Sequence, residues 1–127
     1  MNKNRGKLIR VCDHLCSLLT AHGFLHRCIM CGLPGSDTHH WRYIRSILVY
    51  RWDLENLVYM CRVCHNEAER NHMPLYLKIK ADYPRLWNWY LIQPPLVSRP
   101  ISTWQIKDIL AGLQRTADAL GVKYEQH

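Results

Sequence analysis

The sequence lacks the marks of several large protein classes. No apolar run approaches the roughly 18 residues that a membrane span requires, and the basic opening Met1-Asn2-Lys3-Asn4-Arg5 runs into a segment broken by Asp13 and His14, unlike a secretory leader. Internal repeats, low-complexity tracts and linkers long enough to separate independent domains are missing as well. At 127 residues the chain suits one ordinary domain and excludes a sizeable two-domain enzyme. Acid is scarce. Ten Asp and Glu stand against 17 Lys and Arg, for a net charge of +7 with histidine neutral. That balance favours a polyanionic partner. The expectation is a cytoplasmic protein with no membrane contact.

Six cysteines in a chain without an export signal point to metal ligation or packing before disulfides, because reducing compartments keep thiols free. Cys28 and Cys31 form one C-x-x-C pair and Cys61 and Cys64 another, with 29 residues between them, room for two strands and a loop that bring the chain back. Each pair sets two sulfurs within reach of one ion, and two pairs complete the tetrahedron of a structural zinc site. Cys12 and Cys16 differ, since their spacing inside an apolar periodic stretch puts both on one helical face. They read as core thiols. A second metal site with His14, His22 or His26 is the alternative.

The fold class expected is α+β, a small zinc-stapled core with flanking N- and C-terminal helices. Leu8, Val11, Cys12, Leu15, Leu18 and Leu19 recur at helical spacing and predict a helix over residues 5–22, with Gly23 as its C-cap. Residues 1–27 form the N-terminal part, 28–73 the zinc core and 74–127 a helical extension. Gly32, Pro34 and Gly35 read as a knuckle turn, and Thr38 to Tyr50 as strands paired around a loop. Cys64 to Asn71 predicts a short helix, which Pro74 ends or replaces with another. Two helical pieces follow around Pro84, then an extended connection through Gln93-Pro94-Pro95 and Pro100. Ser102 and Gln105 form a capping box for a last helix ending near Gly121.

His39-His40 follows the first cysteine pair, Asn56 precedes the second and His65 is attached directly to Cys64, with fifteen residues between His40 and Asn56 and eight between Asn56 and His65. In order and spacing this resembles the HNH nucleases, whose ββα-metal site has a histidine on a strand, an asparagine in the loop and a histidine on the helix. The resemblance covers roughly residues 28 to 73. More narrowly, the run through His39-His40-Trp41, Arg45-Ser46, Arg51-Trp52-Asp53-Leu54-Glu55-Asn56 and Cys61-Arg62-x-Cys64-His65 looks like phage recombination nucleases of the lambda NinG type. Such nucleases commonly have a single histidine after a glycine and an asparagine after the last cysteine, where this chain has His39-His40 and His65.

The resemblance implies a metal-dependent endonuclease acting on duplex or branched DNA, in a host cytoplasm if phage-encoded. His40 would be the general base, and Asn56 would complete the catalytic set by tying the loop together. His39 and His65 would hold a catalytic divalent ion, Mg or Mn, with Ni or Zn also compatible with imidazole. His72 is an alternative third ligand. From His40 to Arg51 there is no acid, while Arg42, Arg45 and Arg51 alternate with Trp41, Tyr43 and Tyr50, the composition of a nucleic-acid contact surface. Arg45 is the favoured phosphate contact and Trp52 a core residue. Lys78, Lys80 and Arg85 make a second basic cluster that Asp82 can neutralise. Trp87, Trp89 and Tyr90 read as the lid of a core or as a homodimer surface. The competing class is a non-catalytic zinc module that binds DNA or a protein.

Overall fold

A computed structural model describes residues 3–93 and 100–125. The chain is α+β, a two-stranded antiparallel sheet set among helices. Helix α1 (Lys3–Gly23) comes first and carries Val11, Cys12, Leu15, Cys16 and Leu19 into a core at helical spacing. Its end departs from expectation. Gly23 stays within the helix, and the left-handed positions are Leu25 (φ 54°) and His26 (φ 61°). The reversal comes later because His26 N donates to Ala21 O at 2.7 Å while His26 O accepts from Gly35 N at 2.9 Å, aiming the chain at Cys28.

Strand β1 (Asp37–His40) pairs with β2 (Leu57–Met60), His39 opposite Val58 and His40 opposite Leu57. The strand pair expected within Thr38–Tyr50 is therefore corrected. Only its first residues are strand, and the partner lies beyond Asn56. After His40 the chain leaves the ladder so that Trp41 and Tyr43 can be buried as packing residues, and Leu48–Arg51 forms one turn of helix, α2. A short 3-10 turn, Leu54–Asn56, leads into β2.

Helices α3 (Arg62–Arg70), α4 (Met73–Asp82) and α5 (Pro84–Leu91) follow. Pro74 begins a helix rather than ending one, and Pro84 does the same, both in first turns where no amide partner is lost. Residues 94–99 of the expected extended connection lie outside the described residues. Helix α6 (Thr103–Leu120) opens on the expected capping box, Ser102 Oγ accepting from Gln105 N at 3.1 Å and Gln105 Oε1 from Ser102 N at 2.7 Å, and closes on Gly121 at φ 71°.

The sheet lies between two apolar clusters, and the alternation of β2 sorts its residues between them. Leu57 joins α1 and α6 with Trp52, Ile106, Leu113 and Ala117. Val58 and Met60 join the other cluster, around Trp41, Ala68, Leu75, Ile79 and Leu86. Trp87, Trp89 and Tyr90 cover Trp41 at ring distances of 5.9–6.4 Å, so they cap this core. Among the described residues no helix is long and apolar enough to cross a membrane.

Candidate functional site

The first C-x-x-C pair sits on a tight turn closed by Cys28 N donating to Leu33 O at 2.7 Å. Gly32 takes φ 74° there, a left-handed conformation that favours glycine. Gly35 has no room for a side chain, because a Cβ would stand 2.5 Å from the Tyr59 ring. Ile29 N donates to Tyr59 O at 2.9 Å and fastens the turn beside β2. The second pair opens α3, with Cys61 as N-cap accepting from Cys64 N. The sulfurs of Cys28, Cys31, Cys61 and Cys64 all lie within 4.8 Å of one another, and none is in a disulfide. Cys31 and Cys61 are 3.8 Å apart, which is about the edge of a tetrahedron of sulfurs with 2.3 Å zinc bonds. This cluster can hold a structural zinc ion.

Beside it, β1 and α3 build a second group of ligand atoms. Asp37 and His39, two apart on a strand, share a face and meet the helix. One ligand atom each of His39, His65 and Glu69 lie within 4.8 Å of one another. His65 Nε2 is 3.2 Å from Glu69 Oε1, and His39 Nδ1 is 3.7 Å from the same oxygen. His39 is buried, and among the described residues its Nε2 has no hydrogen-bond partner. Burial, then the neighbouring His65, pushes His39 down to about 4, so its imidazole is neutral at pH 7, the form that ligates metals.

His65 is oriented from behind. Its Nδ1 is 2.8 Å from Asp37 Oδ2, and Arg62 forks onto the same carboxylate at 2.7 and 3.1 Å. The Arg62 fork and the His65 bond, acting against partial burial, hold the Asp37 carboxyl well below the usual range. With Nδ1–H donated to Asp37, a neutral His65 carries its lone pair on Nε2, free for an ion that Glu69 would share, the arrangement by which a carboxylate directs a metal-binding histidine. His72 stands at the start of α4, stacked on Tyr76 at 5.9 Å and 6.5 Å from His39.

His40, the last residue of β1, lines the same cleft, whose volume is about 710 Å³ and whose walls include His39, His65, Glu69 and Asp13. Its Nε2 is 3.1 Å from the carbonyl oxygen of Arg51. A carbonyl only accepts, so this contact assigns the proton to Nε2 and leaves the lone pair on Nδ1. Burial, followed among the lowering influences by the Arg51 and Arg45 cations, holds His40 below the usual histidine value. Asn56, with no exposed surface, accepts at Oδ1 from Arg42 N and Tyr43 N and donates from Nδ2 to Tyr43 O and Tyr50 O. It thereby fixes the loop that carries Arg51.

The three arginines expected at a nucleic-acid surface have different surroundings. Arg42 lies over the Tyr43 and Tyr90 rings at 4.9 and 4.8 Å. Arg51 forks onto Asp13 at 2.9 and 2.7 Å with its side chain only 14% exposed. Arg45 reaches Asp13 with one bond of 3.1 Å and is 65% exposed, which makes it the most available of the three. In the second basic cluster Lys78 pairs with Asp82, Arg85 with Glu55, and Lys80 lies over Trp87. Cys12 and Cys16 are buried among the α1 and α6 side chains.

Four residues of the site escape the sequence reading. Glu69 carries a usable signal, being one turn beyond His65 on a helix, and so does Asp37, two residues before His39 on a strand. Arg62 and Asp13 carry none, since their partners are distant in sequence. No family model matches the chain, and neither does any curated protein or solved structure.

Proposed function

We propose that the chain is a metal-dependent endonuclease of the HNH class that hydrolyses DNA phosphodiester bonds, with a structural zinc at the four cysteines. The observation that carries the reading is His40, its lone pair freed by the Arg51 carbonyl, facing the cleft lined by His39, His65 and Glu69. His40 Nδ1 removes the proton of the attacking water, work that needs an imidazole neutral at working pH. A divalent ion held by His39, His65 and Glu69 would neutralise the scissile phosphate and stabilise the leaving 3′ oxygen. This donor set of nitrogens and one carboxylate admits Mg, Mn, Ni or Zn, imidazole favouring the later metals.

Asn56 touches no reacting atom in this scheme. It holds the loop that keeps the Arg51 carbonyl against His40. Arg45, exposed at the cleft wall, supplies charge to a flanking phosphate. The recombination-nuclease resemblance favours branched or duplex DNA as substrate, and two copies of the chain would set two nicking sites on opposite strands.

The test is cleavage of supercoiled plasmid and of a synthetic four-way junction with added Mg, Mn, Ni or Zn, comparing wild type with His40→Ala. The expected result is metal-dependent cutting that His40→Ala abolishes while zinc content and DNA binding persist. Equal cutting by the variant overturns the mechanism. A folded, zinc-loaded wild type that binds without cutting under any of the four metals would instead be a non-catalytic zinc module.

A further inference from the structure

We propose that Asp13, on helix α1 and outside the strands and helix that carry the histidines, is the positioning residue for His40. The proposal rests on the nuclease reading of His40 but adds a part of the chain that carries no motif of its own. One carboxylate here receives four N–H groups. Its Oδ1 accepts from Arg51 Nε at 2.9 Å and Trp52 Nε1 at 2.8 Å, and its Oδ2 from Arg51 Nη2 at 2.7 Å and Arg45 Nη2 at 3.1 Å. The lone pairs of the carboxylate are therefore fully used.

Arg51 is held by its side chain, and the carbonyl of that same residue faces His40 Nε2 at 3.1 Å. A fork with two parallel bonds fixes direction as well as distance, so the grip of Asp13 on the guanidinium limits where the carbonyl stands. Cys16, three residues along α1, adds a weak thiol contact to Trp52 O at 3.9 Å. Residues 51 and 52 are thus tied to α1, which is itself packed on α6 through a buried core. The loop end of His40 is referenced to a rigid helix pair rather than to the loop alone.

The charge argument supports the same assignment. A carboxylate on the wall of a cleft that receives a polyanion repels the substrate, so its presence there calls for another role. Positioning is one that its contacts meet. Arg45, held by a single bond from an exposed side chain, can transfer to a phosphate without loosening the Arg51 fork.

The experiment uses the full, zinc-loaded chain and two variants, Asp13→Asn and Arg51→Lys. Asp13→Asn keeps the shape and removes the charge, and Arg51→Lys keeps the charge and removes the fork. Three quantities are measured: the protonated ring nitrogen of His40 by ¹⁵N NMR, the single-turnover cleavage rate at saturating DNA, and DNA affinity. Wild type should carry its proton on Nε2. Both variants should lose that preference and cut roughly 10- to 100-fold more slowly. Affinity should hold, and for Asp13→Asn it should tighten, because a negative charge has left the cleft.

Folded variants that keep the Nε2–H tautomer and the wild-type rate overturn the proposal. So does a rate loss matched by an affinity loss with His40 unchanged, which would make Asp13 a general structural residue. If Asp13→Asn does not fold, Arg51→Lys decides by the same criteria. Should wild type and His40→Ala prove equally active, the nuclease mechanism fails by itself, and the NMR comparison still reports whether Asp13 orients the ring.

Discussion

Asn56 and Tyr43 bond to each other in both directions, Oδ1 of the asparagine accepting from Tyr43 N at 3.0 Å and its Nδ2 donating to Tyr43 O at 2.9 Å. The side chain thus stands in for a strand at the point where β1 has ended, and it satisfies backbone groups that the loop leaves buried. Arg42 N and Tyr50 O complete the set.

Asn56→Ala should therefore be among the most damaging single changes. It orphans the amides of Arg42 and Tyr43 and the Tyr43 carbonyl at a site with no exposed surface, at about 1–3 kcal/mol for each group left unsatisfied, while Tyr50 O keeps a bond from Asp53 N. A loss of roughly 3 kcal/mol or more is expected in urea unfolding at fixed zinc. Asn56→Asp should also destabilise, because a carboxylate cannot donate to Tyr43 O and Tyr50 O. A loss under about 1 kcal/mol for Asn56→Ala would mean that the loop is held by other means.

Zinc removal should reach beyond the knuckle. Cys61 is both a member of the cysteine cluster and the N-cap of α3, the helix that carries His65 and Glu69. Binding energy at such sites is folding energy, so Cys61→Ser or chelation should lower bound zinc and unfold the domain, seen as lost helical circular dichroism. A soluble, cooperatively folded, zinc-free Cys61→Ser protein would refute the staple.

The terminal helices were legible because their information is local. Leu8 to Leu19 repeat at one helical face, and Ser102 with Gln105 announces the start of α6. The cysteine cluster was legible for the same reason, as spacing within each pair brings the sulfurs close. Strand β2 was misplaced because Trp41, Tyr43 and Tyr50 have strand-like side chains but are drawn into tertiary packing, where burial overrides propensity. Histidines and Asn56 stood out by type and spacing. The carboxylates that direct them did not, since nothing near Asp13 in sequence signals Arg51, 38 residues away.

Glu69 should matter to the second cluster and not to the first. In zinc-loaded protein, Glu69→Gln should weaken Ni or Mn binding at least tenfold while cysteine-bound zinc stays. Asp37→Asn, which reaches the ion through the orientation of His65 and also loosens the Arg62 fork, should cost about 10- to 100-fold. Isothermal titration of the ion into each variant measures both. Wild-type affinity in Glu69→Gln would remove Glu69 from the ligand set.

The thiols of α1 offer a prediction with a defined pH window. Burial, with Asp13 adding to it, pushes Cys12 up to about 11, and burial raises Cys16 further still. Thiolate is the reactive form, so with zinc bound neither should react quickly with a thiol reagent at pH 8. Chelation, by unfolding the domain, should expose Cys12 and Cys16 together with the four knuckle cysteines. The linkage has a fixed sign. Below the ordinary thiol value near 9 both states hold these protons, and there is no difference to release. Above it the unfolded chain loses them while the folded chain does not, so stability falls as pH rises from about 9 toward 11. Cys12→Ala should flatten part of that decline in denaturation curves taken across the range. An unchanged slope, or rapid labelling of Cys12 in the zinc-loaded protein at pH 8, would contradict the burial on which the argument depends.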